Sequence, residues 1–218
     1  MKTDRELQED ILTALEWEPG VDAAKIAVSV KNGVVTLQGP IRTYFEKSRA
    51  ERVTRHVYGV RAVANDLLVN LDGLAAPSDG QIADAVVHAL AWNSAVPVNA
   101  VKATVTDGWV ALNGTLDWQF QRSAAQHAVE HLHGVKGVVN LIALKPHVSP
   151  TDVKTKIEHA FTRSAEVDAA RVSVQAMDGA VVLTGTVKSL SERDEAERAA
   201  WSAPGVTRVD DRITVSPY

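Results

Sequence analysis

Apolar and polar positions follow one order three times along this chain. Leu7, Ile11, Leu12 and Leu15 recur at helical spacing, as do Ile82, Val86 and Leu90, and then Val153, Ile157 and Phe161. Thr3 with Glu6, and Ser78 with Gln81, read as capping boxes that start the first two of these helices. Ser149 before Pro150 starts the third. A strand follows, with Ile26, Val28 and Val30 alternating against polar neighbours. The chain then reads NGVVTLQG, DGWVALNG and DGAVVLTG in turn. Asn32-Gly33, Asp107-Gly108 and Asp178-Gly179 are two-residue hairpin turns, because both positions of such a turn require positive φ. Each octet is therefore a turn and the strand after it, with Val35 and Leu37 facing inward in the first. The glycine that closes the octet marks a bulge or a close backbone approach. Boxes at Thr43–Glu46 and Ser189–Glu192 open a second helix. Its apolar edge is Ala50, Val53 and Val57 in the first copy, and Ala125, Ala128 and Leu132 in the second. Gly59, Gly134 and Gly205 end it. A last strand carries Val63, Leu67 and Val69. Each unit is α-β-β-α-β, of α+β class, with a three-stranded mixed sheet and two helices on one face.

The copies superpose without gaps. A shift of 75 residues lays Trp17 on Trp92, Gly33 on Gly108, Gly59 on Gly134 and Asn65 on Asn140. A further 71 lays Gly108 on Gly179, Gly134 on Gly205 and Asn140 on Asp211. Linkers fall near residues 72–77 and 145–148, which divides the chain into domains 1–72, 73–147 and 148–218. A period this long exceeds that of solenoid repeats, so the pattern describes tandem domains.

Composition adds mainly exclusions. The chain has 218 residues, is 45% apolar and 23% charged, and carries a net charge of -4, so it offers no global basic field for nucleic acid. It has no cysteine, which removes disulfides, thiolate metal sites and cysteine nucleophiles. MKTDRELQED has no apolar export core, and no apolar run reaches the roughly 18 residues of a membrane span. That start points to the cytoplasm. A chain from which an export segment had been removed would read the same and belong in the periplasm.

The V-x-N-G-V-V-T-L-x-G of Val30–Gly39 and the G-V-x-x-V-x-N-x-L-x-V of Gly59–Val69 resemble the BON domain, named for bacterial osmotically induced and nodulation proteins. VTDGWVALNG with GVKGVVNLIAL, and QAMDGAVVLTG with GVTRVDDRITV, repeat the resemblance over essentially the whole chain. It implies a stress-induced, envelope-associated, non-enzymatic protein without cofactor that binds anionic phospholipid surfaces. A soluble ion- or small-ligand-responsive module is a second expectation, and a protein-binding, chaperone-like adaptor a third.

Candidate residues follow from charge and aromaticity. Arg49, Arg52 and Arg55, with Arg42 and Lys47 nearby, form a basic ridge that could meet lipid phosphates or be a solvated helix face. Trp118 and Phe120 stand where the second unit enters its second helix, and Trp118 replaces a capping hydroxyl. A lipid anchor or a domain contact would explain the pair. Trp17 and Trp92 share one slot near the end of the first helix and read as core. HAVEH, His127 to His131, has the spacing of one zinc peptidase class, but its counterparts Arg52/His56 and Arg198/Ser202 read as a polar helix edge, so no metal is expected. Gly134-Val-Lys-Gly137 imitates the GXXG clamp of an RNA-binding fold but joins a helix to a strand. No nucleophile, paired carboxylates or phosphate loop stands out, so neither an enzyme nor a nucleic-acid binder is expected.

One contrast separates the copies. Residues 1–72 hold 21 charged side chains, 73–147 hold 9 and 148–218 hold 20. The strand positions of the middle unit that face away from the helices are Trp109, Ala111, Leu141 and Ala143. So apolar a face predicts packing against one or both flanking units.

Overall fold

The computed structural model describes residues 2–70, 76–145, 153–164, 168 and 170–216. The first repeat runs α1 (Asp4–Glu16), β1 (Ala27–Lys31), β2 (Val34–Ile41), α2 (Tyr44–His56) and β3 (Ala62–Val69). The second runs α3 (Asp79–Trp92), β4 (Val101–Thr106), β5 (Trp109–Leu116), α4 (Gln119–Glu130) and β6 (Gly137–Leu144). The third runs α5 (Val153–Arg163), β7 (Val172–Met177), β8 (Ala180–Val187), α6 (Leu190–Trp201) and β9 (Arg208–Val215). Each sheet keeps chain order, β1-β2-β3, β4-β5-β6 and β7-β8-β9. The hairpin pair is antiparallel in all three, while β5–β6 and β8–β9 are parallel. The expected fold is the observed one, an α+β unit repeated three times.

Local rules account for the elements. Thr3 and Ser78 each accept the backbone N–H three residues on, and Glu6 and Gln81 reach back to them, so both capping boxes form. The Ser149–Pro150 start lies outside the described residues, as do most of the linker positions. At α2 and α6 the box is stretched by one residue. Thr43 and Ser189 accept from Glu46 and Glu192, but those carboxylates take the N–H of Arg42 and Lys188. The turn residues Asn32, Asp107 and Asp178 have φ of 52°, 50° and 49°, and the glycines after them 76° to 79°, as the hairpin requires.

In the second repeat, Ile82, Val86 and Leu90 of α3 and Ala125 and Val129 of α4 meet Val110, Leu112, Leu116 and Ile142 of the sheet. The other repeats bury the matching stripes, Leu7, Ile11 and Leu15 with Val35 and Leu37, and Ile157 and Phe161 with Val181 and Leu183. The octet's last glycine is a close approach. A Cβ on Gly114 would lie 2.2 Å from the Ala100 carbonyl oxygen, and one on Gly185 2.0 Å from that of Arg171. Gly114 also has a φ of 155°.

Packing divides the chain into two compact units. One comprises Met1–Gln38, Ala50–Asp66 and Pro146–Tyr218, the other Gly39–Arg49 and Leu67–Lys145. Gly114→Ala and Gly185→Ala each place a methyl group on backbone that cannot retreat, and are expected to destabilise by about 2–3 kcal/mol. Urea unfolding of either variant with a midpoint equal to that of the wild type would contradict this.

Candidate functional site

The basic ridge does not stand as a row. Three residues of helix advance 300°, so Arg49 and Arg55 point about 120° apart. Arg55 reaches α6, where its Nε and Nη2 donate to both carboxylate oxygens of Asp194 at 3.1 and 2.5 Å. Both side chains are about one-third exposed, and the Asp194 hydrogen bonds raise the Arg55 pKa above its ordinary value. Arg49 lies over the Phe45 ring at 5.8 Å, and the Lys47 ammonium donates to the Leu67 carbonyl at 2.7 Å. Arg42 and Arg52 are the exposed members.

The other end of α2 also makes a contact between repeats. The rings of Phe45 and His131 stack with centroids 4.2 Å apart, tilted by 32°. The second helices of the repeats thus carry both of these contacts, one in each packing unit. The outward sheet face of the second repeat is the surface expected to pack against a flanking repeat. Trp109 is 53% exposed and Leu141 60%, Ala143 is exposed, and Ala111 is half-buried. The Trp109 ring finds its cover within its own sheet. It lies flat on Gly137, its partner in the β5–β6 register, where an added Cβ would fall 2.3 Å from the ring.

The tryptophans read as core are surface groups. Trp17 is 82% exposed and Trp92 88%. Each follows the last buried leucine, Leu15 or Leu90, by two residues, which turns it 200° away from the core stripe. Trp92 stands in a charge-free stretch, residues 85–101, where Val87 and Val98 are also exposed. Phe120 is exposed and Trp118 partly so. The Gln121 N–H that a capping hydroxyl would take goes to the Trp118 carbonyl at 3.1 Å, while Gln121 Oε1 accepts the N–H groups of Asp117 and Trp118 at 3.2 and 3.1 Å.

The enzyme-like motifs do not assemble. His127 and His131 are exposed, each with Nδ1 on the carbonyl four residues back. Glu130 is buried instead, where its carboxylate accepts from Gln126 at 2.8 Å. Among the described residues, no group of three or more His, Asp or Glu side chains could hold a metal ion. Val135 and Gly137 of the GXXG-like loop are buried, which leaves no open backbone cradle.

Two features were not foreseen. Asp4, at the first position of α1, accepts the turn N–H groups of Asn32 and Gly33 at 2.8 and 3.2 Å. Asp79 does the same for Asp107 and Gly108 at 2.8 and 2.9 Å. The signal was present as an aspartate 28 residues before each turn. Beside the first of these clamps lies a cleft of about 660 Å³ between Lys2, Leu7, Gly33, Tyr58 and Arg61. Only the fold brings those residues together.

Three copies of one α-β-β-α-β unit, differently decorated on their surfaces, define a tandem α+β repeat protein. The BON domain family model matches residues 3–70, 78–146 and 149–217, and the chain belongs to that family. The chain is 30% identical over 140 residues to osmotically inducible protein Y of Escherichia coli, a match covering 62% of this chain and 69% of that protein. Among solved structures it is similar to CdsD, a structural protein of the type III secretion system of Chlamydia trachomatis. Identity there is 16%, the TM-score 0.28, and coverage 98% of this chain and 93% of the other. The C-terminal domain of CdsD gives 16% identity and a TM-score of 0.26, covering 99% and 100%.

A double-mutant cycle of Arg55→Ala and Asp194→Ala should return a coupling of about 0.5–1 kcal/mol that shrinks in 1 M salt, as for a partly exposed ion pair. A coupling of zero at low salt would show that the pair does not hold the helices together. His127→Ala should leave stability within about 0.5 kcal/mol. Zinc retained stoichiometrically through dialysis and lost in that variant would contradict the helix-edge assignment.

Proposed function

We propose that the protein is a non-enzymatic binding protein that docks on anionic phospholipid surfaces during osmotic or envelope stress. Trp92 carries this reading. It is a nearly fully exposed indole in a charge-free stretch that also exposes Val87 and Val98. An indole in water gains little, whereas at a membrane interface its apolar body is buried while its N–H stays wet. Trp17 repeats the position in the first copy, although Glu16 and Glu18 flank it and weaken its approach to an anionic surface. Arg52 and Arg42 supply exposed positive charge on the same chain. None of the described helices is long and apolar enough to cross a bilayer, so the contact proposed is peripheral. The family and the relatedness to an osmotically inducible protein support the stress association.

Co-flotation with phosphatidylglycerol vesicles tests the reading. Trp92→Ser should weaken binding about tenfold, consistent with partial burial of one indole. Trp17→Ser should matter less, and salt should weaken binding through the exposed arginines. Wild-type protein that stays with the aqueous fraction at low salt would remove the proposal.

A further inference from the structure

The cleft of the first repeat is lined by the start of α1, the Asn32–Gly33 turn and the Tyr58–Arg61 segment. Among the lining positions that differ between the repeats, Lys2 against Pro77 and Leu7 against Ile82 bear directly on this space. In the second repeat Pro77 occupies the place of Lys2, and its ring fills the space above Gly134, where an added Cβ would come within 2.4 Å of it. In the first repeat a Cβ on Gly59 would meet only Leu7, at 3.6 Å. Lys2 has moved aside, where its ammonium pairs with Asp10 at 2.5 Å and lies 6.0 Å from the centre of the Tyr58 ring.

The charges around this space are unequal in commitment. Asp4 is engaged by the two turn amides and Glu6 by the backbone N–H and hydroxyl of Thr3. Those hydrogen bonds, the backbone one foremost, hold the Glu6 carboxyl below its usual range, so it stays ionised and capped. Arg61 differs. Its backbone N–H is fixed to the Gly33 carbonyl at 2.8 Å, and its aliphatic stem crosses Gly33 so closely that an added Cβ would touch it at 2.9 Å. Yet its exposed guanidinium forms no ion pair among the described residues. A guanidinium held at its stem and unpaired at its fork, facing an open space beside a second cation and an aromatic ring, is arranged for an oxyanion.

The geometry points to a binding site for a monoanionic oxyacid group, a phosphodiester or a carboxylate, held bidentately by Arg61 with Lys2 beside it. The fixed carboxylates of Asp4 and Glu6 oppose a dianion, which sets the charge class. A phosphodiester could come from a lipid headgroup, in which case the site rests on the membrane reading above, or from a free small molecule, in which case it does not.

Backbone amide spectra of the full chain, titrated with dimethyl phosphate, acetate and inorganic phosphate at pH 8, test the site. Dimethyl phosphate or acetate should shift the amides of Gly33, Gly59 and Arg61 saturably, and more strongly than inorganic phosphate does. Arg61→Gln should weaken that response at least fivefold while leaving the amides of the second repeat in place. Lys2→Pro, which sets in this cleft the proline that stands over Gly134 in the second repeat, should abolish it without touching Arg61. Phosphatidylglycerol vesicles form the second arm. Vesicle binding weakened by Arg61→Gln assigns the headgroup as source, whereas a response to the soluble anions alone assigns a free ligand. Amides that do not move with any soluble anion, or that move equally in Arg61→Gln, would overturn the site. Vesicle binding dependent on Trp92 would survive that result.

Discussion

A carboxylate gripping a hairpin turn is the constraint on which each of the first two repeats is organised. Asp4 and Asp79 sit at the first position of a helix, where negative charge is favoured, and each takes two turn amides that would otherwise face solvent. That grip ties the start of the first helix to the tip of the sheet. The turn in turn accepts the chain returning from the second helix, since Gly33 and Gly108 receive the N–H groups of Arg61 and Lys136. Helix, hairpin and returning strand therefore meet at one point. The glycines there are small because backbone and basic side-chain stems cross them.

With that frame fixed, the surfaces are free to diverge, and they do. The outward face of β9 carries an Arg212–Asp210 ion pair, while the equivalent face in the second repeat carries Trp109, Val139 and Leu141. Two edge strands, β6 and β9, share a protective device. Asn140 and Asp211 accept the N–H two residues further along their own strand, and each also bonds to the helix above, through Gln126 and Arg193. These side chains occupy backbone groups that would invite another strand.

The second helices show how a charged surface becomes an internal contact. Arg55 and Phe45 occupy opposite ends of α2, and they find partners in different repeats, Asp194 on α6 and His131 at the C-terminal cap of α4. Their equivalents, Glu130 and Trp201 for Arg55 and Phe120 and Ser191 for Phe45, are chemically different. The repeats therefore cannot exchange these roles, and identical folds acquire distinct neighbours.

What the sequence alone determined is local or periodic. Hairpin turns were legible because positive φ restricts them to a few residues, helix starts because capping needs a particular side chain at a particular offset, and the repeat because both signals recur in step. Family resemblance rests on those same positions. Tertiary structure decided what depends on direction and distance. Trp17 and Trp92 read as core by their shared slot, yet two residues of helical rotation past the last buried leucine turned them to solvent. Arg49, Arg52 and Arg55 read as one ridge, yet the same rotation split them and gave Arg55 to a residue 139 positions away. That the Trp109 ring lies over Gly137 of the neighbouring strand was likewise decided by register and not by pattern. The Lys2–Arg61 cleft joins segments that only the folded chain makes neighbours, because periodicity records which face a residue occupies and carries no information about what stands opposite.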